Sequence, residues 1–226
     1  MNKIKQSKST ALFACLLLLL SSIVFTIAVA FLDIKENPDG GHNIGLSAVN
    51  LAFHKSFPYN ELLHNVSEYA GYIPVLFAAF FAIMGAGQAL KHKSLKSVDT
   101  VLYFLAFYYV LVGFVYLIFE KLCINVRPIM LDGEWEASYP SSHTLFSITL
   151  SASAILINNI FYAKAKWRKP MNILAIIFMV SVPILRLFSG VHWLSDIIGG
   201  VIISATLVSI LNYALFFVRN TAKKNN

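Results

Sequence analysis

Six stretches of this chain run for 15 to 22 residues without one charged side chain: residues 11–32, 69–90, 101–119, 144–163, 171–185 and 197–218. A bilayer core needs about 20 apolar residues per helical crossing. No water reaches the backbone there, so a crossing segment must satisfy its own N–H and C=O groups, as a helix does. The pattern predicts an all-α polytopic membrane protein, a bundle of six transmembrane helices. Composition agrees: 58% of the residues are hydrophobic and 13% are charged, against about 25% charged in a soluble domain. Six crossings and their loops use up the 226 residues, so residues 1–226 read as a single domain with no room for a soluble one of ordinary size.

The first stretch follows Lys3, Lys5 and Lys8, and Ala28-Val29-Ala30 has the small-x-small form of a cleavage site. Its apolar run exceeds the roughly 7–15 residues of a signal core, so a retained helix is expected. Residues 33–66 are mixed. Asn37-Pro38-Asp39-Gly40-Gly41 is a turn cluster. The spaced apolar residues Leu51, Phe53, Phe57, Leu62 and Leu63 predict a short amphipathic or interfacial helix within 46–66. Its position offers a cap over a site or a gate for lipid. Cys15 and Cys123 suggest neither a disulfide framework nor a zinc site.

The net charge of +7 has two readings, nucleic-acid binding or membrane orientation. Distribution decides. The N-terminus, the 91–99 turn, the 164–170 turn and the tail after residue 218 hold thirteen of the 18 Lys+Arg and only one acid, Asp99. Lys35, Lys55, Lys121, Arg127 and Arg186 lie on the other side with the remaining ten acids. A one-sided excess of cations in short loops marks the cytoplasmic side. An integral cell-membrane protein with both termini cytoplasmic is expected, without nucleic acid as a partner. Connections 33–66, 120–143 and 186–196 then face outward.

The outward side carries the chemistry. Lys121, Arg127 and Arg186 sit beside apolar spans, where ionisable groups are costly and usually functional. Each alone also has a plain reading as a cation snorkelling to the headgroups. Tyr139-Pro140-Ser141-Ser142-His143 opens the fourth span with helix-start residues, whose free N–H groups can hold an anion. His192 and Asp196 are four residues apart, so the carboxylate can hold one ring nitrogen and leave the other as nucleophile or base. The plain readings are a structural histidine at one helix start and a cap-and-charge pair at the next. Together these groups fit phosphoryl transfer: cations and N–H groups for the oxygens, one group to attack, one to protonate the leaving oxygen. A lipid binder or a phosphotransferase could use the same groups.

The sequence resembles the type 2 phosphatidic acid phosphatases (PAP2), the integral-membrane branch of the acid phosphatase and haloperoxidase superfamily. The family motifs run Lys-x6-Arg-Pro, Pro-Ser-Gly-His and Ser-Arg-x5-His-x3-Asp. Here they read Lys121-Leu-Cys-Ile-Asn-Val-Arg127-Pro128, Pro140-Ser141-Ser142-His143 and Leu185-Arg186-x5-His192-x3-Asp196, within residues 121–196. Three departures stand out. Five residues, not six, separate Lys121 from Arg127, which on a helix turns the lysine by about 100°. Ser142 replaces the glycine, and Leu185 replaces the serine.

The resemblance implies a membrane phosphatase with an outward-facing site and no metal or cofactor. His192 would be the nucleophile forming a phospho-histidine, Asp196 its orienting carboxylate and His143 the acid and base. Lys121, Arg127, Arg186, Ser141 and Ser142 would hold the phosphate. The partners implied are membrane lipids and a lipid phosphate or diphosphate substrate. Family members act on undecaprenyl diphosphate, phosphatidylglycerol phosphate, phosphatidic acid and lipid A, and the outward site puts an envelope lipid such as undecaprenyl diphosphate first. His42, His54, His64 and His92 fit no motif and read as solvated loop residues. Trp135 and Trp193 read as outer interface anchors, Trp167 as an inner one.

Overall fold

A computed structural model describes residues 8–38, 40–131 and 133–224. Lys3, Lys5, Asp39 and Asp132, and the side chains of Arg219, Lys223 and Lys224, lie outside the described residues. The chain runs through α1 (Lys8–Phe31), β1 (Lys35–Asn37), β2 (Gly40–Ile44), α2 (Ser47–Ser56), α3 (Glu61–His92), a 3-10 turn (Leu95–Ser97), α4 (Thr100–Leu122), α5 (Ser142–Phe161), α6 (Arg168–Phe188) and α7 (Leu194–Lys224). All of these α-helices except α2 are long and apolar enough to cross a membrane. The expected six-helix architecture holds. Among the described residues it includes a short β1–β2 hairpin, which pairs Lys35 with Ile44 and Glu36 with Asn43.

Capping residues set the helix starts. Asn60, Asp99 and Ser141 accept hydrogen bonds from the N–H groups of Leu63 (2.9 Å), Val101 (2.8 Å) and Thr144 (3.4 Å). The Asn60 cap corrects the reading of 46–66. That segment is two helices, not one, because Pro58 disfavours helix at Phe57 and Asn60 restarts it. Leu62 and Leu63 therefore belong to the long α3. Helix α4 stops at Cys123, whose φ of 45° turns the chain out of the helix.

Helix α5 is the centre of the bundle, packed against α3, α4, α6 and α7. Its buried face carries Ser147, Thr149, Ser151 and Ser153. Small residues let membrane helices approach closely where lipid gives no hydrophobic drive. Thr149 and Ser153 return their hydroxyls to the carbonyls of Leu145 (2.7 Å) and Leu150 (2.8 Å), which keeps them satisfied away from water. Helix α1 lies at the edge against α7, joined by a Ser22–Thr206 hydroxyl pair at 2.7 Å.

Three connections, 32–60, 123–141 and 189–193, meet at one end of the bundle. Gly45 donates to the Asn125 side chain at 3.0 Å, Asn60 donates to the Ser189 carbonyl at 2.9 Å, and Ser141 donates to the Asp196 carbonyl at 3.2 Å. These cross-links hold the site together.

Candidate active site

After Cys123 the chain folds back on itself. Arg127 N–H donates to the Glu136 carbonyl (3.0 Å) and Ser138 N–H to the Asn125 carbonyl (2.9 Å). This brings Arg127 beside Glu136, with Nε 2.8 Å from the carboxylate. Both face a cavity of about 360 Å³, also lined by Glu120, Trp135, Ser142 and His192.

Ser141 caps α5, but its own N–H is engaged by the Asp196 carbonyl. Of the two expected serine donors, only Ser142 offers an N–H that no helix carbonyl can reach, and it lines the cavity. His143 follows in the first turn. Its Nε2 lies 2.6 Å from Nη2 of Arg186, which the last turn of α6 carries fully buried.

His192 hangs in the short connection between α6 and α7. The turn needs Gly190, at φ +69°, where an added Cβ would strike the backbone at Pro58 and Tyr59. His192 is buried, with Nδ1 3.6 Å from the Asp196 carboxylate. Burial, reinforced by the charges of Arg127 and Arg186, pushes this imidazole well below its ordinary pKa of 6.5. It is therefore neutral at pH 7, as a nucleophile must be. Asp196 is fixed in turn: it accepts from Trp193 N–H (2.9 Å) and from Asn125 Nδ2 (3.2 Å).

Among the described residues, the buried side-chain nitrogens without a hydrogen-bond partner include Nη1 of Arg127, Nε of Arg186, Nδ1 of His143 and Nε2 of His192. A buried polar group left unpaired costs about 1–3 kcal/mol. Such a set of nitrogens suits an anion with several acceptor oxygens. Among the described residues, no group of three His, Cys, Asp or Glu side chains is placed to hold a metal ion.

Lys121 stays outside this arrangement. It is exposed on the last turn of α4, whereas Arg127 is half-buried beside the cavity and Arg186 is fully buried. The shortened spacing explains its place. With six residues between it and Arg127, the position the motif gives to lysine is taken by Glu120, and it is Glu120 that faces the cavity.

The structure also brings in residues the motifs did not name. Helix α3 presents His64 and Glu68 to Arg186. His64 Nδ1 lies 3.0 Å from Nη1, and the Glu68 carboxylate takes Nη2 while standing 3.3 Å from Nε2 of His143. His64 is therefore not a solvated loop residue. Neither is His54, which packs edge-on against Trp193 at 5.4 Å. Trp193 is not an interface anchor: it is 1% exposed and donates from Nε1 to the Val126 carbonyl at 2.6 Å. The available signal was a second His-x-x-x-acid spacing, His64 to Glu68, at the head of an apolar span.

The PAP2 superfamily model matches residues 7–220. The chain belongs to the PAP2 superfamily. No curated protein matches it. Among solved structures it resembles the crystal structure of a transmembrane PAP2-type phosphatidylglycerolphosphate phosphatase from Bacillus subtilis. The TM-score is 0.63 at 18% identity, covering 88% of this chain and 94% of that one. At that identity the likeness is one of fold. The PAP2 motifs thus sit in a fold already seen in a membrane member of the family.

Proposed function

We propose that this PAP2 protein is a membrane phosphatase that hydrolyses a lipid phosphate or diphosphate at the outer face of the cell membrane. The observation that carries the reading is the set of buried nitrogens on Arg127, Arg186, His143 and His192 that have no hydrogen-bond partner among the described residues. A terminal phosphoryl group supplies the oxygens they lack. The excess of Lys and Arg in the termini and in the 91–99 and 164–170 turns supports the outward orientation, and the six apolar helices support a substrate that stays in the lipid.

In this reading Arg127, Arg186 and the Ser142 N–H hold the phosphoryl oxygens and neutralise charge as it develops. His192 Nε2 attacks phosphorus, and the bond from phosphorus to the lipid oxygen breaks. His143 gives that oxygen a proton. Asp196 steadies the imidazolium formed on His192. Water then attacks the phospho-histidine while His143 takes its proton, so inorganic phosphate leaves and His192 is neutral again. Lys121 is left out of the phosphate site, reaching substrate only if its side chain turns inward.

The test is release of inorganic phosphate by purified protein from a panel of lipid mono- and diphosphates. Wild type is expected to release it and His192→Ala is not. Wild-type rates in the alanine variant would overturn the assignment. The panel itself ranks undecaprenyl diphosphate against phospholipid phosphates.

A further inference from the structure

Resting on the phosphate-site reading above, we propose that Glu68 makes the site selective for terminal phosphoryl groups over the phosphodiesters of the surrounding bilayer. The observation is its position. The Glu68 carboxylate bonds Nη2 of Arg186 and stands 3.3 Å from Nε2 of His143, the two groups that would receive a phosphoryl oxygen and the leaving oxygen. A carboxylate oxygen thus sits between the guanidinium and the imidazole that the phosphoryl group would engage.

Three features fit an exchangeable counter-ion. Arg186 is fully buried, and a buried cation without an anion is strongly disfavoured. Glu68 supplies that anion when no substrate is bound. Its side chain is 36% exposed while that of Arg186 is 0% exposed, so the carboxylate has somewhere to go and the guanidinium does not. One turn further along α3, an added Cβ on Gly71 would lie 2.7 Å from the His143 ring. The helix therefore presses against His143 and keeps Glu68 next to it.

Charge then decides which phosphates enter. A phosphodiester carries one negative charge, the same as the carboxylate it would displace, so the exchange gains nothing electrostatically. A terminal phosphoryl group carries about −1.5 to −2 at pH 7. It brings more charge and a further oxygen to Arg186, Arg127 and the Ser142 N–H, and it displaces Glu68. A site at the bilayer surface meets phosphodiester headgroups constantly. An arginine–histidine site without Glu68 would be occupied by them.

The experiment uses the full chain in a non-ionic detergent, hydrolysing dioctanoyl phosphatidic acid while dihexanoyl phosphatidylglycerol is added as a diester competitor. Wild type is expected to be indifferent to the diester at concentrations where inorganic phosphate already competes. Glu68→Gln is expected to acquire competitive inhibition by the diester, with an inhibition constant at least about tenfold lower than that of wild type. Glu68→Asp keeps the charge and should remain resistant. Diester inhibition of wild type as strong as that by phosphate overturns the proposal without any variant. So does an aspartate variant as sensitive as the glutamine one. Phosphate release with no diester discrimination sinks this proposal alone, whereas no release from any lipid phosphate sinks the phosphatase reading as well.

Discussion

His192 with Asp196 and His64 with Glu68 share the same four-residue spacing, yet one pair is sealed and the other is half open. Asp196 is fully buried and takes hydrogen bonds from Trp193 and Asn125. Every one of these partners belongs to the protein, so the geometry is set before substrate arrives. Glu68 is 36% exposed and is bonded to Arg186, a group that substrate would claim. The difference teaches that spacing alone does not assign a role. What surrounds the carboxylate decides whether it orients a nucleophile or gives way to a ligand.

Substitutions in the two pairs should separate those roles. His192→Ala is expected to lower phosphate release by at least about a thousandfold, since it removes the proposed nucleophile, whereas His64→Ala should cost only about tenfold. Equal losses would mean that both pairs belong to the chemistry. Asp196→Asn should drop kcat by about 10²–10⁴-fold with little change in KM, as expected when an orienting carboxylate is lost.

Gly71→Ala drives a methyl against His143 and is expected to lower kcat about tenfold with the fold intact. A normal kcat would show that His143 has room to spare. The depressed pKa of His192 makes a pH prediction. Folded His192 stays neutral while the unfolded side chain takes a proton below about 6.5. The unfolded state then binds more protons, so stability present above about 6.5 is lost as the pH falls through it. Thermal melts of wild type should show this slope, and His192→Gln should flatten it. The smallest effect is expected from Lys121→Ala, within about twofold for an exposed side chain. A larger loss would restore the lysine to the phosphate site.

The six crossings were legible because burial in lipid leaves a simple mark, a long run without charge. The candidate site residues stand out in the sequence because Arg186, His192 and Asp196 keep the spacing of the motif and lie close together in the chain. His64 and Glu68 were not. They sit more than 100 residues from Arg186 in sequence, and only the packing of α3 against α5 and α6 brings them in. Lys121 shows the converse limit. Its residue type fitted the motif, but one missing residue turned it away, and the register of α4 rather than composition placed Glu120 at the cavity. Trp193 has the pattern of an interface anchor, because a tryptophan beside an apolar span looks the same in sequence whether it faces headgroups or closes a core.

The segment that first suggested a cap or gate is tied down at its base. Asn50 in α2 is fully buried; it donates to the Gly45 carbonyl (2.7 Å) and to Ser195 Oγ (2.8 Å), and accepts from Ser195 N–H (3.0 Å). Gly45 in turn donates to Asn125, the residue that also holds Asp196. The 32–60 connection and the Asp196 carboxylate are therefore parts of one hydrogen-bonded block. Anyone placing a tag or an epitope in this loop to report on topology should expect a variant altered in turnover as well as labelled, with the disturbance growing the nearer the insertion comes to Gly45.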